Sequence, residues 1–396
     1  MSFLKKLDDF FTPKMENQLK HYYFFFAFIF HLKKYWIIYL VIFFLLSLLF
    51  KYFRKNIIKP FKLLFKFFGN NSIEPFKKKD KIIVKCLKIK EAKSIFNDKL
   101  KVSQINLYTE SEIIARFPEQ NINKNQDIKN LREKVREIYS KNIKKFTKKE
   151  VKQIKRSVKK LHYIIQKYNK KNNITIPFLK KWKFIKMSGK IDWGFPYTLH
   201  NYIILPETIV ADIKDSPFSK NLLKTLLHEQ FHILQRKYPD LFKNFYTNWN
   251  FFSSSGLILP DKIKKLLITN PDAPKANLMF KYNDSRFILP VLTVNDKDKK
   301  THKPVFLPIS YTEGQFRIDE SLVNTTQFKQ IVKTYRKRFY NIKQNYHPNE
   351  ILANLIPNMI FENLKLEKKD QQTLANLFNQ NTFTTHEKNT TQNQEK

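Results

Sequence analysis

One helical segment restricts the possible folds of this chain more than any other part of it. Residues 222–237 read LLKTLLHEQFHILQRK, and their leucine and phenylalanine residues recur at the spacing of a helix that buries most of its surface. We expect this helix to begin at Ser216 as N-cap, with Pro217 in its first turn, and to end before Pro239. A helix of this kind needs a folded domain around it.

Two histidines and a glutamate lie at the centre of the segment. Because a turn contains 3.6 residues, His228 and His232 project from the same side and can bind one metal ion. Zinc accepts imidazole nitrogen readily, and a catalytic zinc site keeps one position open for water. Glu229 is then placed to act on that water. The alternative is a pair of structural histidines in a core helix.

The HExxH pattern resembles that of the zincin metallopeptidases. In that family the two histidines bind zinc and the glutamate is the general base, which the resemblance assigns to His228, His232 and Glu229. The metzincin branch has a glycine and a third histidine soon after the motif, and HILQRKYPD contains neither, so that branch is excluded. The resemblance implies an α+β fold, in which a zincin-like catalytic domain sets its active-site helix beside a mixed sheet.

The gluzincin branch takes its third ligand from a second helix, often within NExxxD. Residues 349–354, NEILAN, match except that Asn354 replaces the aspartate. The resemblance implies that Glu350 is the third ligand and that Asn354 can bind the outer nitrogen of a ligating histidine as a neutral acceptor. Three other acidic residues remain alternatives for the third ligand: Asp240, Glu313 and Glu320.

A looser similarity extends over residues 178–364. The stretches HEQFHILQRKYPDLF, NPDAP and HPNEILAN are similar to zincin-like proteins of large DNA viruses and some protists, and this similarity names no substrate. Zincins place a strand along the cleft, to which a peptide substrate adds as a further strand. Residues 198–205 are our candidate for that strand, and we expect His200 to be exposed on it. Residues 248–322 are interpreted as mainly loop with some short strands, forming a second wall of the cleft.

An apolar stretch near the N-terminus predicts a membrane anchor. Residues 35–53, YWIIYLVIFFLLSLLFKYF, approach the ~20 residues of a transmembrane helix, the alternative being a buried core helix. More cations follow this stretch than precede it, which predicts that the downstream domain faces the cytosol or a virion interior. The chain is then a single-pass membrane protein.

Charge and cysteine content narrow the partners. Lys and Arg total 74 against 34 Asp and Glu, a net charge of +40, which suggests an acidic partner such as an anionic leaflet or nucleic acid. Nucleic acid is the weaker interpretation, because the basic helix predicted at 147–168 does not interleave aromatics with its cations. Cys86 is the only cysteine, so no internal disulfide can form, and we interpret it as a half-buried strand residue.

These observations predict a domain order. Residues 1–34 form a membrane-proximal segment, 35–53 a transmembrane helix, 54–80 a basic juxtamembrane linker, 81–368 the zincin-like domain and 369–396 a disordered polar tail. Helices are expected at 126–139 and at 147–168, the second with a capping box at its start. Pro357 is expected to end or kink the helix that carries Glu350.

The predicted activity is hydrolysis of a peptide bond with Zn²⁺ held by His228, His232 and Glu350. An oxyanion-stabilising residue is also needed, and the candidates are Tyr311, Tyr346 and His347. Two other readings stay open. One is a membrane-anchored scaffold that keeps the fold without activity, and the other is a basic, nucleic-acid-associated membrane protein.

Overall fold

A computed structural model describes residues 35, 43–48, 82–98, 101–120, 122, 127–270, 272, 278–295 and 301–379. The chain divides into two compact units, Met1–Asp80 and Lys81–Lys396. In the first unit, residues 43–48 are helical and their side chains are exposed. The rest of the predicted transmembrane helix, apart from residue 35, lies outside the described residues, as do the predicted segments 1–34 and 54–80. None of the described helices is both long and apolar enough to cross a membrane.

The second unit mixes helices and strands. Its described helices are α1 (Ile89–Asn97), α2 (Glu110–Arg116), α3 (Ile128–Asn142), α4 (Lys148–Asn172), α5 (Glu207–Asp215), α6 (Lys220–Lys237), α7 (Pro239–Asn248), α8 (Asp261–Leu266), α9 (Thr326–Arg338), α10 (Pro348–Phe361) and α11 (Lys368–Asn379). Its described strands are β1 (Ile83–Cys86), β2 (Ile143–Lys144), β3 (Lys181–Met187), β4 (Tyr197–Leu199), β5 (Tyr202–Pro206), β6 (Phe251–Ser253), β7 (Leu278–Lys281), β8 (Arg286–Val294), β9 (His302–Thr312) and β10 (Gln315–Ile318). This content is consistent with the predicted α+β class.

The first sheet is mixed, in the order β1-β3-β5-β4, with β2 paired to β3. Strands β1, β3 and β5 are parallel, whereas β4 is antiparallel to β5.

Cys86 lies half-buried in β1, as predicted, and burial raises the pKa of its thiol to about 12, which keeps it unreactive at neutral pH. The predicted capping box at the start of α4 is present, because Thr147 and Glu150 each bind the other's backbone N–H.

The second sheet corrects the interpretation of residues 248–322 as mainly loop. It is antiparallel, in the order β10-β9-β8-β7-β6, and β8 and β9 are its longest strands. Pro304 and Pro308 had suggested loop, but both lie in β9 before the stretch that β10 pairs with, Ile309 to Thr312. Where a strand is paired on one side only, a proline on its open side costs no ladder hydrogen bond. Both prolines are therefore compatible with a strand.

Helix α6 packs at the centre of the main core, between α10 and the first sheet. Its N-cap is Ser219, whose hydroxyl accepts from Leu222 N, so the predicted cap at Ser216 was wrong. Ser216 instead ends α5, which the sequence pattern did not separate from α6. The segment does end at Lys237, and Pro239 opens α7.

The structure differs from the prediction at two places in the C-terminal region. Helix α10 does not end at Pro357 but continues to Phe361, and buried residues lie on both sides of the proline. Residues 368–379, placed mostly in the disordered tail, form α11, whose Leu374, Leu377 and Phe378 are buried. Asp370 anchors this helix through two bonds from Arg338, at 2.7 and 2.8 Å. Residues 380–396 lie outside the described residues.

Candidate metal centre

Helix α6 brings two imidazoles together near its middle. The Nε2 atoms of His228 and His232 lie 2.9 Å apart, and the two rings meet nearly edge to face. The side chain of His232 is fully buried, while that of His228 keeps 16% of its surface exposed. Both nitrogens therefore point to one spot that can be reached from a single side.

Helix α10 supplies a carboxylate to the same spot. Glu350 lies in its first turn, and Oε2 is 3.4 Å from Nε2 of His228 and 3.6 Å from Nε2 of His232. This oxygen is buried and has no hydrogen-bond partner among the described residues. One ligand atom from each of these three residues lies within 4.8 Å of the others, so the group can hold a metal ion.

The separations suit a small cation with nitrogen and oxygen ligands. Zinc bonds of about 2.0–2.2 Å in a tetrahedral arrangement place neighbouring ligand atoms roughly 3.3–3.6 Å apart. The two distances from Glu350 fall in this range, and the pair of imidazoles needs to open by only a few tenths of an ångström. Oε2 of Glu350 also fits, because it forms no hydrogen bond within the described residues and faces both imidazoles, so a cation bound between the three groups would satisfy it.

The other acidic candidates do not reach this group. Asp240 is exposed in the first turn of α7, and Glu313 is exposed in the turn between β9 and β10. Glu320 is exposed in a short 3-10 helix. Of the predicted third ligands, Glu350 alone lies beside the two histidines in the described part of the chain.

The outer partners of the ligands differ from the prediction. Gln235, one turn after His232, places its Oε1 2.9 Å from Nδ1 of that histidine. Asn270 donates to Oε1 of Glu350 at 2.5 Å. Asn354 donates to Gln344 and to the backbone oxygen of Glu350 and contacts neither imidazole, so its predicted role was wrong.

Glu229 is buried beside the ligands. It is 2% exposed, and one of its carboxylate oxygens has no hydrogen-bond partner among the described residues. Its carboxyl interacts electrostatically with Asp272, His232 and Glu350. It is not among the residues that line the neighbouring cavity. Its side chain must therefore move before it can act on a molecule in that cavity.

Asp272 connects three elements around the site. Its Oδ1 accepts from the backbone N–H and the hydroxyl of Thr198 in β4, and from Arg236 of α6. Its backbone oxygen accepts from the side chain of Asn349 in α10 at 2.8 Å. Asp272 lies in the segment between α8 and β7, which leads into the second sheet. This segment therefore contributes to the wall of the site.

The predicted cleft strand needs correction. Residues 198–205 are not one strand but a hairpin, with β4 at the sheet edge, a turn at His200 and β5 inside the sheet. His200 is exposed, as expected, but in the turn. Edge strand β4 has only three residues, and the N–H of Thr198 is already bound to Asp272. A peptide cannot pair with that N–H unless Asp272 moves.

A cavity of about 140 Å³ adjoins the ligand group, lined by His228 and Glu350 on one side. Its opposite side is aromatic, with the rings of Trp193 and His302 4.7 Å apart and Phe195 exposed beside them. Trp193 has a left-handed φ of 56°, and the residues before and after it are also left-handed. This conformation of Trp193 strains the backbone at the aromatic side of the cavity.

A buried polar cluster holds the strained turn in place. Arg116 donates to Asp192 and to Glu112, at 2.8 and 2.9 Å, and its guanidinium stacks over the ring of Trp193. Tyr139 also donates to Asp192 at 2.9 Å. These bonds offset the strain of the left-handed backbone and fix the aromatic wall relative to His228 and Glu350.

The three candidates for an oxyanion-stabilising residue differ in their position relative to the cavity. Tyr346 lines the cavity, and its hydroxyl accepts from Asn270 at 2.7 Å. His347 is buried and caps α10 by accepting from the N–H of Asn349. Tyr311 packs against Phe316 on β9 and β10 and does not line the cavity.

The site has unusual electrostatics. Burial raises the pKa of the Glu229 carboxyl well above its usual range, and Asp272 adds to the shift. Burial also opposes the ionisation of Glu350, but His232 and His228 outweigh it and hold the pKa of that carboxyl well below its usual range. At His232 burial lowers the pKa, whereas Asp272 and Glu350 reverse this effect and raise its pKa to about 9. A metal ion must displace that proton to bind.

Compared with models of known protein families, with curated proteins and with solved structures, the chain shows no significant match. The chemistry of the site therefore has to be inferred from its residues. Sequence reasoning missed Gln235, Asn270 and Asp272 as members of the site. Gln235 had a local signal, since it lies three residues after His232 on the same helix. The other two lie in the NPDAP stretch, to which the looser resemblance gave no role, and they reach the site through tertiary contacts.

Proposed function

We propose that the chain is a zinc-dependent metallopeptidase that hydrolyses a peptide bond at the centre formed by His228, His232 and Glu350. The observation that carries this proposal is the convergence of two imidazoles and one orphaned carboxylate oxygen on a single point, 2.9 to 3.6 Å apart. A glutamate follows directly on the first histidine. This combination of three ligands and an adjacent base is what metal-assisted hydrolysis requires.

Each residue has its own role in the proposed reaction. A bound zinc ion would polarise the scissile carbonyl, lower the pKa of a neighbouring water and favour the ionised form of Glu229. Glu229 takes a proton from the attacking water and returns it to the leaving amine. Burial keeps the pKa of Tyr346 well above its usual range, so its hydroxyl retains a proton that can be donated to the carbonyl oxygen. The amide of Asn270 supports both Glu350 and Tyr346.

The test combines metal content with activity on the full chain. Elemental analysis should find about one zinc per chain in the wild type and in Glu229→Gln, and none in His228→Ala. Hydrolysis of a mixture of fluorescence-quenched peptides should fall about 10²–10⁴-fold in Glu229→Gln. Glu313→Gln, on an exposed turn, is the matched control and should retain both metal and activity. Zinc-loaded Glu229→Gln that remains fully active would contradict the role of Glu229.

A second candidate is a metal-binding scaffold without activity. Two observations favour it: Asp272 occupies the outward N–H of β4, and Glu229 does not line the cavity. One zinc per chain without hydrolysis of any peptide in the mixture would support this candidate. No bound metal at all would instead make the three residues a polar cluster of the core.

We also propose that residues 35–53 anchor the chain in a membrane as a single pass, with the domain on the cytosolic or virion-interior side and its basic flank on an anionic leaflet. The support is the exposure of five apolar side chains in the helical residues 43–48, namely Phe43, Phe44, Leu45, Leu46 and Leu48. Apolar side chains exposed together on a helix are costly in water. The full chain should stay with membranes after alkaline extraction, and a chain lacking 35–53 should be released.

A further inference from the structure

A second and larger cavity lies between the second sheet and the helices α8 and α9. Its volume is about 1060 Å³, at the upper end of the roughly 300–1,000 Å³ of small-molecule pockets. Its lining includes the apolar side chains of Leu266, Val305, Leu307, Phe328 and Val332, which we call its apolar floor. It shares no lining residue with the cavity beside the metal ligands.

The rim of this cavity is strongly basic. Its lining contains five cationic residues, Lys262, Lys303, Lys329, Lys333 and Arg336, against one acidic residue, Glu320. Cations outnumber acids by 74 to 34 over the whole chain, and by five to one in this lining. None of the five forms an ion pair with a carboxylate of the described residues. Three of them, at positions 329, 333 and 336, lie on one side of α9.

The strand at this cavity is a poor partner for an extended peptide. Asp319 N–H donates to the backbone oxygen of Pro308, so the even-numbered residues of β9 direct their backbone groups away from β8. Residues 302–308 extend beyond the part of β9 that β10 covers. Two of the outward positions there are Pro304 and Pro308, which have no N–H to donate. The geometry thus favours an occupant that needs no backbone hydrogen bonds.

We propose that this cavity binds a long-chain fatty acid. Its acyl chain would lie against the apolar floor, and its carboxylate would lie among Lys329, Lys333 and Arg336. Arg336 is already positioned at the apolar surface, because its guanidinium stacks over the ring of Phe306 at 5.1 Å. An apolar chain with one acidic end matches both halves of the lining, whereas a cationic amphiphile of equal length matches only the floor.

Photoaffinity labelling of the full chain tests the proposal. A palmitate that carries a diazirine is added in the presence of phosphatidylcholine nanodiscs, and adducts are located by mass spectrometry. We expect adducts in residues 302–308 and 326–338, displaced by palmitate but not by hexadecyltrimethylammonium, which has the same chain and the opposite charge. The double variant Lys329→Glu, Lys333→Glu should need roughly tenfold more probe for half-maximal labelling. Lys337→Glu, exposed on the same helix and outside the cavity, should leave the labelling unchanged.

Three results would overturn the proposal. The first is labelling confined to residues outside the cavity. The second is equal displacement by the cationic amphiphile, which would show that the basic rim contributes nothing. The third is displacement by an acidic amphipathic peptide but not by palmitate, which would make the cavity a peptide groove. All substituted residues are exposed, so loss of folding does not confuse the comparison.

Discussion

The side-chain oxygen of Gln235 lies 2.9 Å from Nδ1 of His232. The orientation of this amide follows from its other end, because Nε2 of Gln235 donates to the backbone oxygen of Asn349 at 2.9 Å, and a carbonyl can only accept. The oxygen must therefore face His232, whose Nδ1 carries the hydrogen. When a metal ion displaces the second proton of this ring, the lone pair on Nε2 points toward His228 and Glu350, in the tautomer that the metal requires.

Replacing Gln235 should weaken metal binding. In Gln235→Leu the ring of His232 loses its orienting acceptor, and we expect the metal affinity to fall about 10–100-fold. Asn354→Ala is the control, because Asn354 contacts neither histidine, and its affinity should equal that of the wild type. Competition with a chromophoric chelator measures both. Equal affinities for Gln235→Leu and the wild type would show that the tautomer is held by other contacts.

The identity of the third ligand can be checked by single substitutions. Glu350→Gln removes the charge from the orphaned oxygen and should lower metal affinity by more than about 100-fold, since the loss of a ligand exceeds the loss of an outer partner. Asp240→Asn, Glu313→Gln and Glu320→Gln alter exposed residues remote from the imidazoles and should bind metal normally. A loss of metal in any of these three variants, with Glu350→Gln unaffected, would refute the assignment.

Metal affinity should depend on pH in a defined direction. Because the pKa of His232 is raised to about 9 in the metal-free protein, a proton occupies the ring below that value and must be displaced. Affinity should therefore rise about tenfold per pH unit between pH 6 and 8 and level off above about 9. His200→Asn, which alters an exposed turn, should show the same profile. A flat profile over this range would mean that His232 is already neutral.

Helix α11 should contribute to stability. Asp370, almost fully buried, accepts two bonds from Arg338 and one from Tyr340 at 2.7 Å. Asp370→Ala leaves the guanidinium without its partner and should lower the free energy of unfolding by about 2–4 kcal/mol. Lys369→Ala, exposed on the same helix, should change it by less than about 0.5 kcal/mol. Urea denaturation followed by tryptophan fluorescence measures the difference, and equal midpoints would show that α11 is dispensable.

Local patterns in the sequence account for much of the site. The spacing of His228 and His232 determines that the imidazoles meet, because it is a property of a single helix and needs no partner. The capping box at Thr147 and the half-buried strand at Cys86 are local in the same sense. The end of α6 at Lys237 could be predicted from Pro239, because a proline has no N–H to donate and so interrupts the hydrogen bonding of a helix.

The tertiary structure decided what local spacing does not encode. Glu350 reaches the histidines only because α10 packs on α6, and Asn270 and Asp272 come from the segment between α8 and β7. The same is true of the edge of β4, where a contact across 74 residues occupies the N–H that a peptide would use. Periodicity reports which face of one element is apolar, whereas these contacts depend on which faces pair. The sequence by itself therefore determined the pair of imidazoles and the glutamate beside them, and the packing of distant segments decided the position of Glu350, the amides that contact it and the shape of the cavity.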